Sequence, residues 1–206
     1  MGIKPVVNPR IDDVIIIPGI FRSGTTYVTT AIENAGVKMN DWKMQFNEDA
    51  DIWGWNRCEK LTNEVDGRTV PFSWEPSKDF LERLQWYKDR NEGKSYGFKE
   101  PSIIHMIKAY AMIWPEAKYI LCVRSALSSI WSQRARGNIE TSDLNSLGVY
   151  GQHISNFCAV AILHKLNVHF FNYDGDSEQE RQGLSDFLGL DISFDDWKWS
   201  PGYRSR

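Results

Sequence analysis

The sequence predicts an α/β protein of three layers, with a central, mostly parallel sheet of about four to five strands and helices on both faces. Three observations predict it. Strand-like runs near residues 13–17, 95–99, 118–123 and 167–172 alternate with segments of helical period. The first run enters its helix through a glycine-bracketed turn, Gly19 to Gly24. No internal repeat, low-complexity tract or proline-rich linker divides the 206 residues, so a single domain over 1–206 is expected.

The elements follow in order. Val14 to Ile17 is an unbroken β-branched run, as a strand buried on both faces needs, and Pro18-Gly19 stops it. Gly24 lets the backbone approach an anion closely, while Thr25 and Thr26 open a helix whose unpaired N–H groups favour negative charge. A triphosphate-binding loop reads GxxxxGK[ST]. Here Gly19 to Thr26 reads GIFRSGTT, with Thr25 at the lysine position and the cation moved to Arg22 at the tip of the turn. That exchange suits one phosphate carrying a reactive substituent better than a triphosphate tail.

A short strand near 37–39 completes the sheet, and the irregular stretch 40–94 follows. It holds five of the nine tryptophans, Trp42, Trp53, Trp55, Trp74 and Trp86. Trp86, in the helical run SKDFLERLQWYKDR, is assigned to the core. The next strand ends in Lys99-Glu100-Pro101, with Pro101 suited to a first helical turn and Lys99 aimed at the crevice beyond the carboxyl ends of the strands. Lys118 to Val123 is a further buried strand that runs into Arg124 and the helical SALSSIWSQRAR. An arginine at a strand's carboxyl end can hold a phosphate bidentately, and two helical turns bring Ser132 back to the same side. Residues 167–192 supply the last strand, a loop and an amphipathic helix with Leu184, Phe187 and Leu188 on one face and Gly189 at its end. Tyr173 and Asp174, in that loop, are read as structural.

The segment Arg22 to Thr26 resembles the 5′-phosphosulfate loop of the sulfotransferases that use 3′-phosphoadenosine-5′-phosphosulfate (PAPS), where the loop reads close to PxxxRSGTT or PxxxKSGTT, and the chain as a whole is most similar to their carbohydrate and tyrosylprotein branch. Arg124 and Ser132 reproduce the eight-residue spacing of that family's 3′-phosphate site, with Ser125-Ala126 where asparagine-proline is usual. Lys99-Glu100-Pro101 resembles its central lysine segment, and DFLGL its late helix end. The resemblance implies a P-loop NTPase-like sulfotransferase fold, with in-line transfer of a sulfuryl group from PAPS to an acceptor hydroxyl or amine. Adenosine 3′,5′-bisphosphate is the product, and no metal is required.

It also implies roles. Arg22, Ser23, Gly24, Thr25 and Thr26 hold the 5′-phosphosulfate, Arg124 and Ser132 hold the 3′-phosphate, and Arg22 and Lys99 stabilise charge on the transferred group. FNEDADIW, residues 46–53, is similar to the family's acidic segment, so Glu48 is the first choice for the general base, ahead of Asp49, Glu100 and His105. Residues 40–94 become an acceptor-side insert. The C-terminal Lys198, Arg204 and Arg206 are either a frayed tail or a reach toward the 3′-phosphate.

Bulk properties narrow the partners. A net charge of −3 supplies no basic surface for a nucleic acid. Cys58, Cys122 and Cys158 show no CxxC spacing, so neither a disulfide framework nor a zinc site is indicated, and a reducing, cytoplasmic setting is expected. No segment approaches the ~20 apolar residues of a membrane span, and MGIKPVVNPR lacks the apolar core of a leader. The expected partner is a small-molecule, carbohydrate or peptide acceptor. Two rivals stand beside the transferase: a non-catalytic module that binds adenine nucleotides, and a small-molecule or nucleotide kinase, which should carry lysine at position 25.

Overall fold

Val14–Ile17 forms β1, buried on both faces as its unbroken β-branched run requires. It is the middle strand of a sheet that a computed structural model describes over residues 14–20, 22–39, 76, 78–99, 101–134 and 143–193. After β1 come α1 (Thr25–Asn34), β2 (Lys38–Met39), α2 (Lys78–Arg90) and β3 (Tyr96–Lys99). A 3-10 turn (Pro101–His105), α3 (Ile107–Ile113), β4 (Lys118–Val123) and α4 (Ala126–Arg134) follow. The chain then runs through α5 (Asp143–Leu163), β5 (Asn167–Asn172) and α6 (Ser177–Leu188).

The five strands lie in the order β2-β3-β1-β4-β5, and every neighbouring pair is parallel. Parallel neighbours need crossovers, and the helices supply them on both faces. Alternate residues of β1 and β4 feed two cores. Val14, Ile16, Tyr96, Phe98, Tyr119 and Leu121 pack with Phe80 and Leu84 of α2, with α3, and with Phe157 and Val160 of α5. Ile15, Ile17, Ile120, Cys122 and Phe171 pack on the other side with Val28 and Ile32 of α1 and Leu184 and Leu188 of α6. β1, sandwiched this way, is apolar at every position, which is why its run stands out in the sequence.

Three large aromatic residues inside the first core pair their polar groups. Trp114, fully buried, donates its Nε1–H to the Tyr96 hydroxyl at 3.1 Å, and the Tyr119 hydroxyl donates to the Trp114 carbonyl at 2.9 Å. Burial pushes the Tyr96 hydroxyl up to about 12, with the Trp114 N–H acting in the opposite direction.

The α/β class and the central parallel sheet match the expectation, and β4 and β5 fall on the predicted residues. Trp86 does not. It is 48% exposed, with the Arg90 guanidinium over its ring at 5.1 Å, because Phe80 and Leu84 already fill the buried stripe of α2.

Candidate active site

The connection after β1 leads toward β2 on one side of the sheet, and the connection after β4 leads toward β5 on the other. Their loops therefore diverge at the carboxyl ends of adjacent strands, which is where open α/β sheets form a ligand crevice. The turn after β1 lies at this point. Gly19 forms a parallel bridge with Cys122, in the register that pairs Ile15 with Lys118, so the turn begins hard against the end of β4.

Two residues bend the turn. Arg22 has φ 72° and Gly24 has φ 95°, both left-handed, and the Ser23 N–H donates to the Ile20 carbonyl at 3.1 Å. For Gly24 that conformation is free, whereas for Arg22 it stores strain of order 1–2 kcal/mol. Neither glycine of the turn has room for a side chain. A Cβ on Gly19 would meet Thr25 Cγ2 and Ser23 Oγ, and one on Gly24 would run into the Tyr173 ring. Ser23 is fully buried, and its hydroxyl has no hydrogen-bond partner among the described residues. A buried, unpaired hydroxyl at the floor of a turn that opens a helix suits an incoming anion.

Thr25, at the lysine position of a triphosphate loop, is 5% exposed and packs toward Gly19. The cations come from elsewhere. Arg22 donates from Nε to Ser132 Oγ at 2.8 Å, which ties the tip of the turn to α4. Lys99 ends β3 in register with Ile17, and its charge is felt at Cys122 on the far side of β1. Burial, the larger effect, pushes the Cys122 thiol well above its usual range, so it is no nucleophile.

Arg124 follows β4. Its backbone is held by Tyr150 of α5, whose hydroxyl donates to the Arg124 carbonyl at 2.6 Å and accepts from its N–H at 3.3 Å. Its Nε donates to Asp174 Oδ1 at 3.2 Å, and the other oxygen of that carboxylate accepts from the Ser125 N–H at 2.9 Å. The guanidinium sits over the Tyr173 ring, 5.1 Å from its centre. Tyr173 thus lies against both the Gly24 position and Arg124, and its own N–H donates to the Val123 carbonyl at 2.9 Å.

The structure therefore brings Arg22, Ser23, Gly24, Thr25 and Ser132 together, with Arg124 one aromatic ring away. Thr26 is exposed on the first turn of α1. Ser132, grouped with Arg124 by spacing, is hydrogen-bonded to Arg22, while Asp174 is the partner of Arg124. Tyr173 and Asp174, read as structural from the sequence, lie at the centre of the arrangement. The signal that could have found them is their place just after the carboxyl end of β5. Glu48, Asp49, Glu100, Trp42, Trp53, Trp55, Trp74, Lys198, Arg204 and Arg206 lie outside the described residues.

His105 ends the 3-10 turn and meets His153 of α5 edge to face, ring centres 4.3 Å apart. Burial lowers both. His153 falls to about 4, with the neighbouring His105 charge adding to the effect. A histidine held neutral in this way is a poor candidate for a surface role and a sound packed pair. Among the described residues no group of three or more His, Cys, Asp or Glu side chains converges on a point, and no helix is long and apolar enough to cross a membrane.

No protein-family model matches the chain, and no curated protein matches it. Solved structures do. The deoxyadenosine kinase from M. mycoides with bound dATP is similar at 8% identity and TM-score 0.50, over 85% of this chain and 99% of that one. TT1252 from Thermus thermophilus is similar at 15% identity and TM-score 0.47, over 87% and 98%. A gluconokinase from Sinorhizobium meliloti 1021 gives 10% identity and TM-score 0.44, over 87% and 93%. At 8% identity the likeness to the deoxyadenosine kinase is one of fold, and this chain has the P-loop NTPase-like architecture.

Proposed function

We propose that the protein transfers a sulfuryl group from PAPS to an acceptor hydroxyl or amine. One observation carries this reading: the cations near the glycine turn are Arg22 at its tip and Lys99 at the end of the neighbouring strand, while buried Thr25 takes the place of the phosphate-loop lysine. Such a layout concentrates charge on the group in transfer rather than along a triphosphate tail.

PAPS supplies the sulfuryl group and the leaving phosphate. The turn at residues 22–26 binds the 5′ end through backbone N–H groups and the Ser23 hydroxyl. Arg22, oriented by Ser132, and Lys99 stabilise negative charge as it builds on the bridging and equatorial oxygens, and each is worth ~10²–10³ in rate. Arg124 takes the 3′-phosphate. The acceptor oxygen forms its bond to sulfur as the bond from sulfur to the bridging oxygen breaks, and the acceptor proton passes to a carboxylate, for which Glu48 is proposed. The products are the sulfated acceptor and adenosine 3′,5′-bisphosphate.

A second reading is supported by the ion pair that already engages Arg124 and by the likeness in fold to the deoxyadenosine kinase: an adenine-nucleotide module without transfer chemistry, or a kinase. One experiment separates the three. Incubation with labelled PAPS and with labelled ATP over a mixed acceptor panel should move label from PAPS alone. Label moving from ATP would establish the kinase, and tight binding of adenosine 3′,5′-bisphosphate with no labelled product would establish the module.

A further inference from the structure

The carboxylate of Asp174 already does to Arg124 what a phosphate would do. One oxygen lies 3.2 Å from the Arg124 Nε, and the other accepts from the Ser125 N–H at 2.9 Å. The pair is well placed to be contested by a ligand. The Asp174 side chain is 39% exposed and that of Arg124 20%, so solvent and ligand both reach it. Arg124 is also held in place: Tyr150 hydrogen-bonds its backbone and its guanidinium lies over the Tyr173 ring. A phosphate that reaches Arg124 must arrive beside a carboxylate that stays in place or must displace it.

Resting on the sulfotransferase reading, we infer that Asp174 is a specificity and release residue: its carboxylate competes with the second phosphate of the nucleotide for Arg124 and keeps the affinity for adenosine 3′,5′-bisphosphate low. The chemistry is ordinary. A phosphate dianion placed against a neutralised Arg-Asp pair gains less than one placed against a bare guanidinium, and it is repelled by the carboxylate. Product release often limits turnover, and an internal anion that retakes the arginine speeds that step. The price is a weaker ground-state hold on the donor.

Asp174→Asn is the informative variant, because the amide oxygen can still accept from the Ser125 N–H while the charge is gone. Isothermal titration of the full chain with adenosine 3′,5′-bisphosphate and, separately, adenosine 5′-monophosphate reads the effect. Asp174→Asn should tighten the bisphosphate about three- to tenfold and leave the monophosphate within about twofold, the range expected for removing one partly exposed charge. Asp174→Ala should tighten the bisphosphate in the same direction, which guards against an effect of the amide itself. Bisphosphate affinity that is unchanged or weakened in both folded variants, while the wild type still prefers the bisphosphate, overturns the role of Asp174 and leaves the donor reading standing. A wild type that binds the two nucleotides equally and is indifferent to Arg124→Ala overturns the second phosphate pocket, and the inference with it.

Discussion

Arg22 and Ser132, 110 residues apart in the chain, are joined by a hydrogen bond of 2.8 Å from Nε to Oγ. The tip of the first turn is therefore held in place by α4. Arg22→Ala should lower turnover ~10²–10³. Ser132→Ala should lower it about fivefold, as expected for the ~1 kcal/mol of a single hydrogen bond that orients the guanidinium. The double variant should be no slower than Arg22→Ala, because Ser132 acts through the group already removed. Steady-state rates of the three variants with saturating acceptor check this, and additive losses would show that Ser132 acts independently of Arg22.

Lys99→Ala separates transfer from binding. Lys99 ends β3 beside the turn, and its proposed work is on charge that develops during the reaction. Turnover should fall ~10²–10³ while affinity for adenosine 3′,5′-bisphosphate, which lacks the sulfuryl group, changes by less than about threefold. Paired rate and calorimetric measurements would reveal the opposite outcome, an equal loss in both.

Gly24→Ala tests the turn itself. The new methyl would need φ 95° and would collide with the Tyr173 ring. The conformational cost alone is about 1–2 kcal/mol, which lowers the melting temperature by about 2–8 °C in a chain of this size. The stabilisation that adenosine 3′,5′-bisphosphate confers on the wild type should also disappear. Thermal melts with and without the nucleotide read both effects.

Acid should destabilise the fold through the His105–His153 pair. Folding holds His153 at about 4, against about 6.5 in the unfolded chain, and lowers His105 in the same direction. The unfolded state therefore binds more protons between those values, and stability falls as pH drops from about 6.5 toward 4, by up to about 1.4 kcal/mol per pH unit for each histidine. His153→Phe should flatten that slope. Denaturant titrations at pH 7, 6 and 5 check it, and a slope unchanged in the variant would assign the acid sensitivity to other groups.

Much of the architecture is legible in the sequence because the sheet is buried on both faces. Ile120 and Leu121 go to opposite cores, so the buried positions of β4, Tyr119 to Cys122, carry no charge and the run stands clear of its neighbours. The glycine turn is legible for a related reason, since Gly19 and Gly24 are sterically required where they stand. Trp86 shows where pattern stops. Its helix buries Phe80 and Leu84, and nothing in the order of residues says that the stripe is already full before position 86. The partners of the two arginines were also out of reach. Spacing groups Ser132 with Arg124, but which guanidinium donates to the hydroxyl depends on the path of the turn, and the turn's path depends on a strained φ at Arg22. The same holds for Asp174, whose importance comes from where β5 delivers it rather than from its neighbours in the chain.

Tyr173 meets the glycine turn, carries the Arg124 guanidinium over its ring and has its own N–H fastened to the end of β4. One aromatic plate thus touches both halves of the crevice. Trimming that plate to a methyl group would let the two sides drift, and ligands of different lengths would then be accepted with little distinction.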